Sequence, residues 1–374
     1  MDLLTLFLFM CGFIALIGGA ELLVRGASSL AVVFGISPLV IGLTVVAFGT
    51  SSPELGVSVM STFSGQAGIA VGNVVGSNIA NVLLILGLSA MAAPLIVSRQ
   101  LIRIEVPLMI GVSLLAWGLA LDGVVGRLDG LLLFAGVVIY SVWAIRRSRQ
   151  ESAAADDEFV EEFGSEPSGG KKSGQWGRQV LLVLSGLVLL GLGSHWLVAG
   201  AVFLAKMFGV SDLLIGLTIV SIGTSLPELA TSVMASIRGH RDIAVGNIVG
   251  SNLFNILAVL GLTAAVAPGG IPVAERAINF DFPVMVAVMF TCLPIFFTKH
   301  LIARWEGALF FGYYIAYTLY LIFTALQHGA LPDFNSAMIW FVLPLTGISL
   351  VIGVVRHLRE NRSHNNFPET SREC

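Results

Sequence analysis

Two copies of one polar motif lie inside apolar stretches of this chain. The first is Gly49-Thr-Ser-Ser-Pro-Glu-Leu55 and the second, 174 residues later, is Gly223-Thr-Ser-Leu-Pro-Glu-Leu229. Each contains hydroxyls, a proline and a carboxylate, although an ionised Glu at a bilayer centre costs about 2.5–3.5 kcal/mol on insertion scales. An intramembrane carboxylate marks a functional site by default. A single copy is most simply explained as a proline kink, but its repetition indicates two halves of one site.

The proline of each motif predicts a break in a membrane helix. Pro53 and Pro227 have no N–H, and each ring crowds the carbonyl four residues earlier, which belongs to Gly49 or Gly223. We therefore expect the helix to open near the Gly-Thr-Ser step. Carbonyl oxygens freed at membrane depth are tolerated only where they face protein or a polar cavity, and there they are potential cation ligands.

The candidate ligands follow helical spacing. In each motif a small residue, two hydroxyls and the carboxylate lie at i, i+3, i+4 and i+7, on one helix face. A second repeated motif, Gly72-Asn-Val-Val-Gly-Ser-Asn-Ile-Ala-Asn81 and Gly246-Asn-Ile-Val-Gly-Ser-Asn-Leu-Phe-Asn255, carries Ser and Asn at i and i+4, which are Ser77 with Asn81 and Ser251 with Asn255. The predicted site comprises Ala47, Thr50, Ser51, Glu54, Ser77, Asn81, Ser221, Thr224, Ser225, Glu228, Ser251 and Asn255.

This set offers oxygen donors only, which favours a hard cation. Ca²⁺ takes about 6–8 oxygen ligands in flexible geometry, whereas Mg²⁺ dehydrates reluctantly. The same oxygens could hold Na⁺ when Ca²⁺ is absent, and zinc or copper would lack their usual ligands. The site therefore suits Ca²⁺ or Na⁺ as the ion it binds, and we expect no cofactor.

The composition indicates a membrane protein. Of 374 residues, 56% are hydrophobic and 11% charged, and the mean hydropathy is +0.91, whereas soluble domains carry about 25% charged residues. The net charge of −3 argues against nucleic acid as a partner. The three cysteines are far apart in the sequence and form no metal or redox spacing.

The apolar stretches predict an all-α polytopic membrane protein. Runs long enough to cross a bilayer occur near 3–24, 36–62, 68–92, 101–121, 127–147, 180–204, 210–236, 243–267, 279–298, 304–326 and 335–356. They are continuous rather than alternating, so we expect helices. Residues 36–55 and 210–229 share 13 identities in 20 positions; the fourth helices correspond only after a two-residue gap, at Pro107 and Pro283.

The repeat predicts four segments: a first five-helix repeat at 1–147, an acidic linker at 148–178, a second repeat at 179–326, and an extra helix with a basic tail at 327–374. Because each repeat has an odd number of spans, the halves must be inverted, as in many secondary transporters. Lys and Arg concentrate on the side of the linker. By the positive-inside rule we expect the N-terminus outside, with linker and C-terminus cytoplasmic.

Two polar positions outside the motifs have simpler explanations. Glu21 and Arg25 are four residues apart on the first helix, which favours an ion pair over a transport role. His195, which occupies the position of Glu21 in the second repeat, is expected to be a satisfied polar residue near a helix end. For the acidic linker we prefer a solvated connection, with a regulatory sensor as the alternative.

The paired motifs resemble the two alpha-repeats of the calcium/cation antiporter superfamily, in the bacterial and archaeal calcium/sodium antiporter type. The resemblance covers about residues 1–325. It implies ten core helices, four central ion sites, and sliding of the first helix of each repeat. It further implies that Glu54 and Glu228 are shared carboxylates and that Ala47 and Ser221 contribute backbone carbonyls.

The chain departs from this family at one position. Sodium/calcium exchangers often carry an Asp in one half where this chain has Asn81 and Asn255. Two carboxylates rather than three leave the counter-ion open, so a Ca²⁺/H⁺ or K⁺-dependent exchanger remains the alternative to Ca²⁺/Na⁺ exchange. A cation channel and an intramembrane hydrolase are less favoured, because the broken inverted helices suit exchange and no nucleophile–base pair recurs. No enzymatic activity is expected.

Overall fold

The computed structural model describes residues 3–163, 176–209, 221–297, 300–344 and 347. The first half contains α1 (Leu3–Phe34), α2 (Pro38–Thr50), α3 (Ser52–Phe63), α4 (Gly68–Ala92), β1 (Leu95–Ile96), α5 (Leu101–Ala120), β2 (Val124–Val125) and α6 (Arg127–Phe163). The second half contains α7 (Trp176–Met207), α8 (Ser221–Gly223), α9 (Leu226–Ile237), α10 (Arg241–Val266), β3 (Ile271–Pro272), α11 (Ala277–Asp281 continuing as Phe282–Phe297), β4 (Leu301–Ile302) and α12 (Arg304–Ala325). A further helix, α13, consists of Leu331–Ala337 and Met338–Val342.

The helices fit a membrane-spanning bundle. Within the described residues, eight helices are long and apolar enough to cross a bilayer, and the bent pair α2–α3 makes a ninth. α10 is buried along its apolar length and α4 along most of it, whereas little of α12 is buried. α4 and α10 therefore form the centre of the molecule, where polar side chains are shielded from lipid.

The first helices of the two halves, α1 and α7, pack closely through glycines. A Cβ on Gly19 would lie 2.8 Å from the carbonyl oxygen of Gly186, and a Cβ on Gly12 would lie 3.1 Å from that of Gly193. Small residues at such crossings let helix backbones approach closely. The numbers rise along α1 as they fall along α7, so these two helices run antiparallel.

Contacts between the halves occur in matched pairs. α4 meets α12 at Gly87 and Gly307, and α6 meets α10 at Gly130 and Gly261. The short strands pair across the halves as well, with Leu95 opposite Ile302 and Val125 opposite Ile271, both antiparallel. Each type of contact thus appears once at each end of the molecule.

Some helices differ from the sequence prediction in length or form, and some predicted segments lie outside the described residues. α1 continues to Phe34 and α6 to Phe163, so the first part of the stretch predicted as an acidic linker is helical. Residues 164–175, the start of the predicted seventh span at 210–220, and half of the predicted helix at 335–356 lie outside the described residues. Several helices also contain π-helical turns, which the sequence pattern does not reveal.

Candidate cation site

Both polar motifs interrupt their helices as the prolines predict. α2 and α3 meet at Ser51 with a bend of 40°, and the backbone of Ser51 has φ −81° and ψ 5°. Ser225 has nearly the same values, φ −88° and ψ 7°, between α8 and α9. Each proline lies in the first turn of the second segment, where its missing N–H breaks no helical hydrogen bond.

The break places each carboxylate at the start of a helix. Glu54 lies in the first turn of α3 and Glu228 in the first turn of α9. The partial positive charge at a helix N-terminus favours an anionic group there. Both side chains are fully buried, with 0% and 1% exposure.

The two halves exchange hydrogen bonds at these carboxylates. Ser51 Oγ donates to Glu228 Oε1 over 3.0 Å, and Ser225 Oγ donates to Glu54 Oε1 over 3.2 Å. The second oxygen of each carboxylate, Oε2, is buried and has no hydrogen-bond partner among the described residues. The two acids therefore share one polar centre, and each retains a free acceptor.

Hydroxyls and amides from four helices surround the carboxylates. Ser225 Oγ lies 3.3 Å from Ser77 Oγ, and Thr50 Oγ1 donates to Asn247 Oδ1 over 3.2 Å. The equivalent contact of the other half joins Thr224 Oγ1 to Asn73 Oδ1 at 3.5 Å. π-helical turns begin at two further residues of the predicted site, Asn81 (Asn81–Leu86 in α4) and Asn255 (Asn255–Leu260 in α10), and such turns are frequent at functional sites.

The centre contains unsatisfied oxygens and no compensating positive charge. Among the described residues, neither carboxylate has an ion-pair partner. The buried oxygens that lack a hydrogen bond there include Glu54 Oε2, Glu228 Oε2, Asn81 Oδ1, Asn255 Oδ1 and Ser251 Oγ. Buried polar atoms in native proteins are nearly always paired, and a buried charge is paired or binds a metal. An oxygen-only set of this kind suits a hard cation.

The structure brings most of the predicted site residues together, with two qualifications. Ala47 is buried beside α10, but its carbonyl already accepts the Ser51 N–H at 3.0 Å and lies 3.4 Å from Thr50 Oγ1, so its availability as a cation ligand is reduced. Ser221 begins α8, and its side chain lies outside the described residues. Hydrogen bonds join Ser51 to Glu228 and Ser225 to Glu54 and Ser77, and Thr50 and Thr224 bond to the neighbouring Asn247 and Asn73. Asn81, Ser251 and Asn255 are buried on α4 and α10, where Asn81 and Asn255 bond to Asn252 and Asn78.

The sequence prediction missed a supporting layer of the site. Asn73 Nδ2 donates to Ser58 Oγ over 2.9 Å and to the Glu54 carbonyl over 3.1 Å, and Asn247 Nδ2 donates to Ser232 Oγ over 2.9 Å. These bonds tie each broken helix to the helix that follows it. The signal was present, because Asn73 precedes Ser77 by four residues and therefore shares its helix face.

The fold and this buried acidic centre define a multi-pass membrane protein of the cation antiporter class, and comparison with known proteins agrees. The family model described as "Sodium/calcium exchanger protein" matches residues 4–146 and 178–323. The chain therefore belongs to the sodium/calcium exchanger family, whose members are transporters rather than enzymes.

Individual relatives match over nearly their whole length. The putative antiporter CaxA of Alkalimonas amylolytica is 43% identical over 317 residues, covering 84% of this chain and 97% of that protein. The sodium/calcium exchanger MaX1 of Methanosarcina acetivorans is 30% identical over 344 residues, covering 83% and 97%. Structures of the sodium-calcium exchanger NCX_Mj superpose with a TM-score of 0.72 at 31% identity, covering 84% of this chain and 98% of that chain.

Proposed function

We propose that this protein exchanges Ca²⁺ for Na⁺ across the membrane by alternating access, with the ions bound between Glu54 and Glu228. The observation that carries the proposal is the crosswise pair of buried carboxylates, each bonded to a serine of the opposite half and each keeping one unpaired oxygen. Two negative charges balance one divalent ion. Serine and threonine hydroxyls and the amide oxygens of Asn81 and Asn255 would complete the shell.

Competition for the two carboxylates would couple the ion fluxes. Ca²⁺ or monovalent ions can neutralise the pair, but both cannot fully occupy it together. A site left charged and empty is costly to carry through a closed intermediate at membrane depth. The protein would therefore change conformation when loaded with one ion type or the other, which is the requirement for exchange.

The proposed architecture is two inverted five-helix repeats, ten core helices in all, plus an eleventh. The antiparallel α1 and α7, and the contacts that recur once at each end of the molecule, support inversion. The loop charges favour an outside N-terminus and a cytoplasmic linker and C-terminus in a bacterial inner membrane. Inverted halves would let one central site face either side.

A Ca²⁺/H⁺ exchanger is the second candidate, because the site has amides at both Asn81 and Asn255. Fewer carboxylates give Na⁺ fewer anionic ligands, and protons could then neutralise Glu54 or Glu228. A K⁺-dependent exchanger would use the same fold. The counter-ion is therefore part of the test.

The decisive experiment is ⁴⁵Ca²⁺ uptake into inside-out vesicles under imposed Na⁺, K⁺ or pH gradients. We expect uptake driven by a Na⁺ gradient and abolished in Glu54→Gln and Glu228→Gln variants. Uptake driven by a pH gradient alone would instead identify the proton exchanger. Wild-type uptake in either variant would contradict the assigned site, and Ca²⁺ current without any coupled counter-flux would indicate a channel.

A further inference from the structure

The amide of Asn81 is held by a chain of hydrogen bonds that leads away from the site. Asn81 Nδ2 donates to Asn252 Oδ1 over 3.1 Å, and Asn252 Nδ2 donates to Met109 Sδ over 3.4 Å. All three side chains are buried. The chain crosses between the halves twice, since Asn81 and Met109 belong to the first half and Asn252 to the second.

The other half repeats this arrangement. Asn255 Nδ2 donates to Asn78 Oδ1 over 3.2 Å, and Asn78 Nδ2 donates to Met285 Sδ over 3.6 Å. Met285 occupies the position of Met109 once the two-residue gap before Pro283 is included. Because both halves contain the same arrangement, we name each set an Asn–Asn–Met chain.

The thioether decides which way each amide points. The two ends of an Asn side chain differ, since Oδ1 accepts hydrogen bonds and Nδ2 donates them, whereas a thioether sulfur accepts but cannot donate. Asn252 must therefore turn Nδ2 toward Met109 and Oδ1 toward Asn81. Asn81 must then turn Nδ2 toward Asn252, which leaves its Oδ1 directed away from that bond.

This orientation leaves the amide oxygen without a hydrogen bond, and in the proposed site that oxygen would be a cation ligand. Asn81 Oδ1 and Asn255 Oδ1 are both buried without a hydrogen-bond partner among the described residues. If either amide turned over, it would present two N–H donors where the site needs an acceptor, and the amide dipole would oppose the cation. We infer that Met109 and Met285 are positioning residues that fix the Asn81 and Asn255 amide oxygens toward the ion; the inference rests on the proposed cation site.

The same chain gives a physical reason for Asn at these two positions. A carboxylate at position 81 would have no donor for Asn252 Oδ1, so two acceptors would face each other at about hydrogen-bond distance. The Asn–Asn–Met chains thus hold the centre at two carboxylates and add two neutral oxygens. Both features favour a centre that one divalent ion neutralises.

The first test compares three methionine-to-leucine variants in proteoliposomes. Met109→Leu and Met285→Leu keep side-chain volume but remove the acceptor. We expect each to raise the Ca²⁺ concentration at half-maximal ⁴⁵Ca²⁺ flux about tenfold, with the maximal rate little changed. Met289→Leu is the matched control, because Met289 is also buried on α11 but its Sδ lies 2.7 Å from Ser113 Oγ rather than from a site amide. An unchanged half-saturation in Met109→Leu would overturn the inference.

The second test separates orientation from packing. In Asn252→Asp, measured at a pH where the new carboxyl is ionised, the residue can only accept, so Asn81 stays oriented without help from Met109. Met109→Leu should then have no further effect on Ca²⁺ affinity in that background, measured by ⁴⁵Ca²⁺ binding to purified protein so that a loss of transport does not obscure it. An equal loss of affinity in both backgrounds would show a packing role and contradict the inference. Full activity of Glu54→Gln, by contrast, would refute the proposed site itself.

Discussion

At the centre of the molecule the two halves make equivalent contacts, whereas the contact between α1 and α9 has no equivalent in the other half among the described residues. At the centre, equivalent residues exchange equivalent bonds: Ser51 with Glu228 at 3.0 Å and Ser225 with Glu54 at 3.2 Å. In the proposed exchanger the site would bind the same ion from both sides of the membrane, and such equality would favour that. Differences between the halves are therefore best sought away from the ligands.

The clearest difference is an ion-pair cluster at one end of α1. Glu21 Oε2 lies 2.8 Å from Arg238 Nε at the end of α9, and Glu21 also pairs with Arg25 on its own helix. The Arg25 pair confirms the expectation from their spacing. In the second half His195 and Ser64 occupy the positions of Glu21 and Arg238, which offer no equivalent charge pair.

The packing of the first helix of each half also differs between the halves. α1 lies along α9, while α7 makes no comparable contact with α3 among the described residues. α1 and α7 are tightly joined to each other through their glycines. The structure thus combines a symmetric polar centre with an asymmetric outer pair, and we expect substitutions at the two regions to alter ion affinity and conformational preference separately.

The largest expected effect tests the symmetry of the centre. Glu54→Gln and Glu228→Gln should each abolish ion-coupled Ca²⁺ flux, because each removes half of the charge that balances the ion. The two losses should be equal within the error of ⁴⁵Ca²⁺ uptake in vesicles. A variant that retained substantial flux while the other lost it would show that only one half provides the essential charge.

The serine bonds to the carboxylates test the same symmetry more finely. Ser51→Ala and Ser225→Ala each remove a hydrogen bond to a charged group, worth about 1.5–3 kcal/mol, so the Ca²⁺ affinity should fall about ten- to hundredfold. The neighbouring Ser52→Ala is the matched control, because Ser52 is exposed and donates to the Phe48 carbonyl. Binding of ⁴⁵Ca²⁺ to the purified variants measures the difference. Equal affinities in Ser51→Ala and Ser52→Ala would contradict the role of the crosswise bonds.

The centre was largely predictable from the sequence because its determinants are local. Helical spacing placed Thr50, Ser51 and Glu54 on one face, and Pro53 located the break at Ser51. The repeat then brought the equivalent residues of the second half into the same site. The Ala47 carbonyl accepts from Ser51 N–H in the broken helix, and its role as a cation ligand stays a prediction.

The features that were not predicted depend on contacts between distant segments. Met109 and Asn252 are 143 residues apart and Glu21 and Arg238 are 217 apart, and no spacing rule connects them. α6 continues beyond the bilayer-length apolar run to Phe163, because Ala and Glu favour helix wherever no glycine or proline interrupts them. Hydrophobicity located the apolar part of this helix but gave no signal for where it ends.

The α1–α7 crossing should tolerate a methyl group at Gly18 but be destabilised by one at Gly19. A Cβ on Gly19 would lie 2.8 Å from both the Gly186 oxygen and the Leu190 nitrogen, while a Cβ on Gly18 meets nothing within 4 Å among the described residues. Overpacking of this kind costs about 1–3 kcal/mol. Gly19→Ala should therefore lower the melting temperature in detergent and slow exchange several-fold. Gly18→Ala should match the wild type, and equal behaviour of the two would contradict close packing at this crossing.

The smallest expected effect concerns the ion pair between Glu21 and Arg238. The pair is partly exposed, and such pairs contribute about 0–1 kcal/mol, so Glu21→Gln should shift the balance between conformations by at most about fivefold. The shift should be visible as a change in distance between spin labels on α1 and α9, with Ca²⁺ affinity at the centre little changed.

A double-mutant comparison makes this small effect interpretable. Arg238→Gln alone and the Glu21→Gln/Arg238→Gln double variant should produce the same shift as Glu21→Gln, because each removes one shared interaction. Glu151→Gln, which breaks the exposed Arg147–Glu151 pair on α6, should produce none. Additive shifts from the two single variants would show that Glu21 and Arg238 act independently. The asymmetry of the outer pair would then arise from the packing of α1 on α9 rather than from charge.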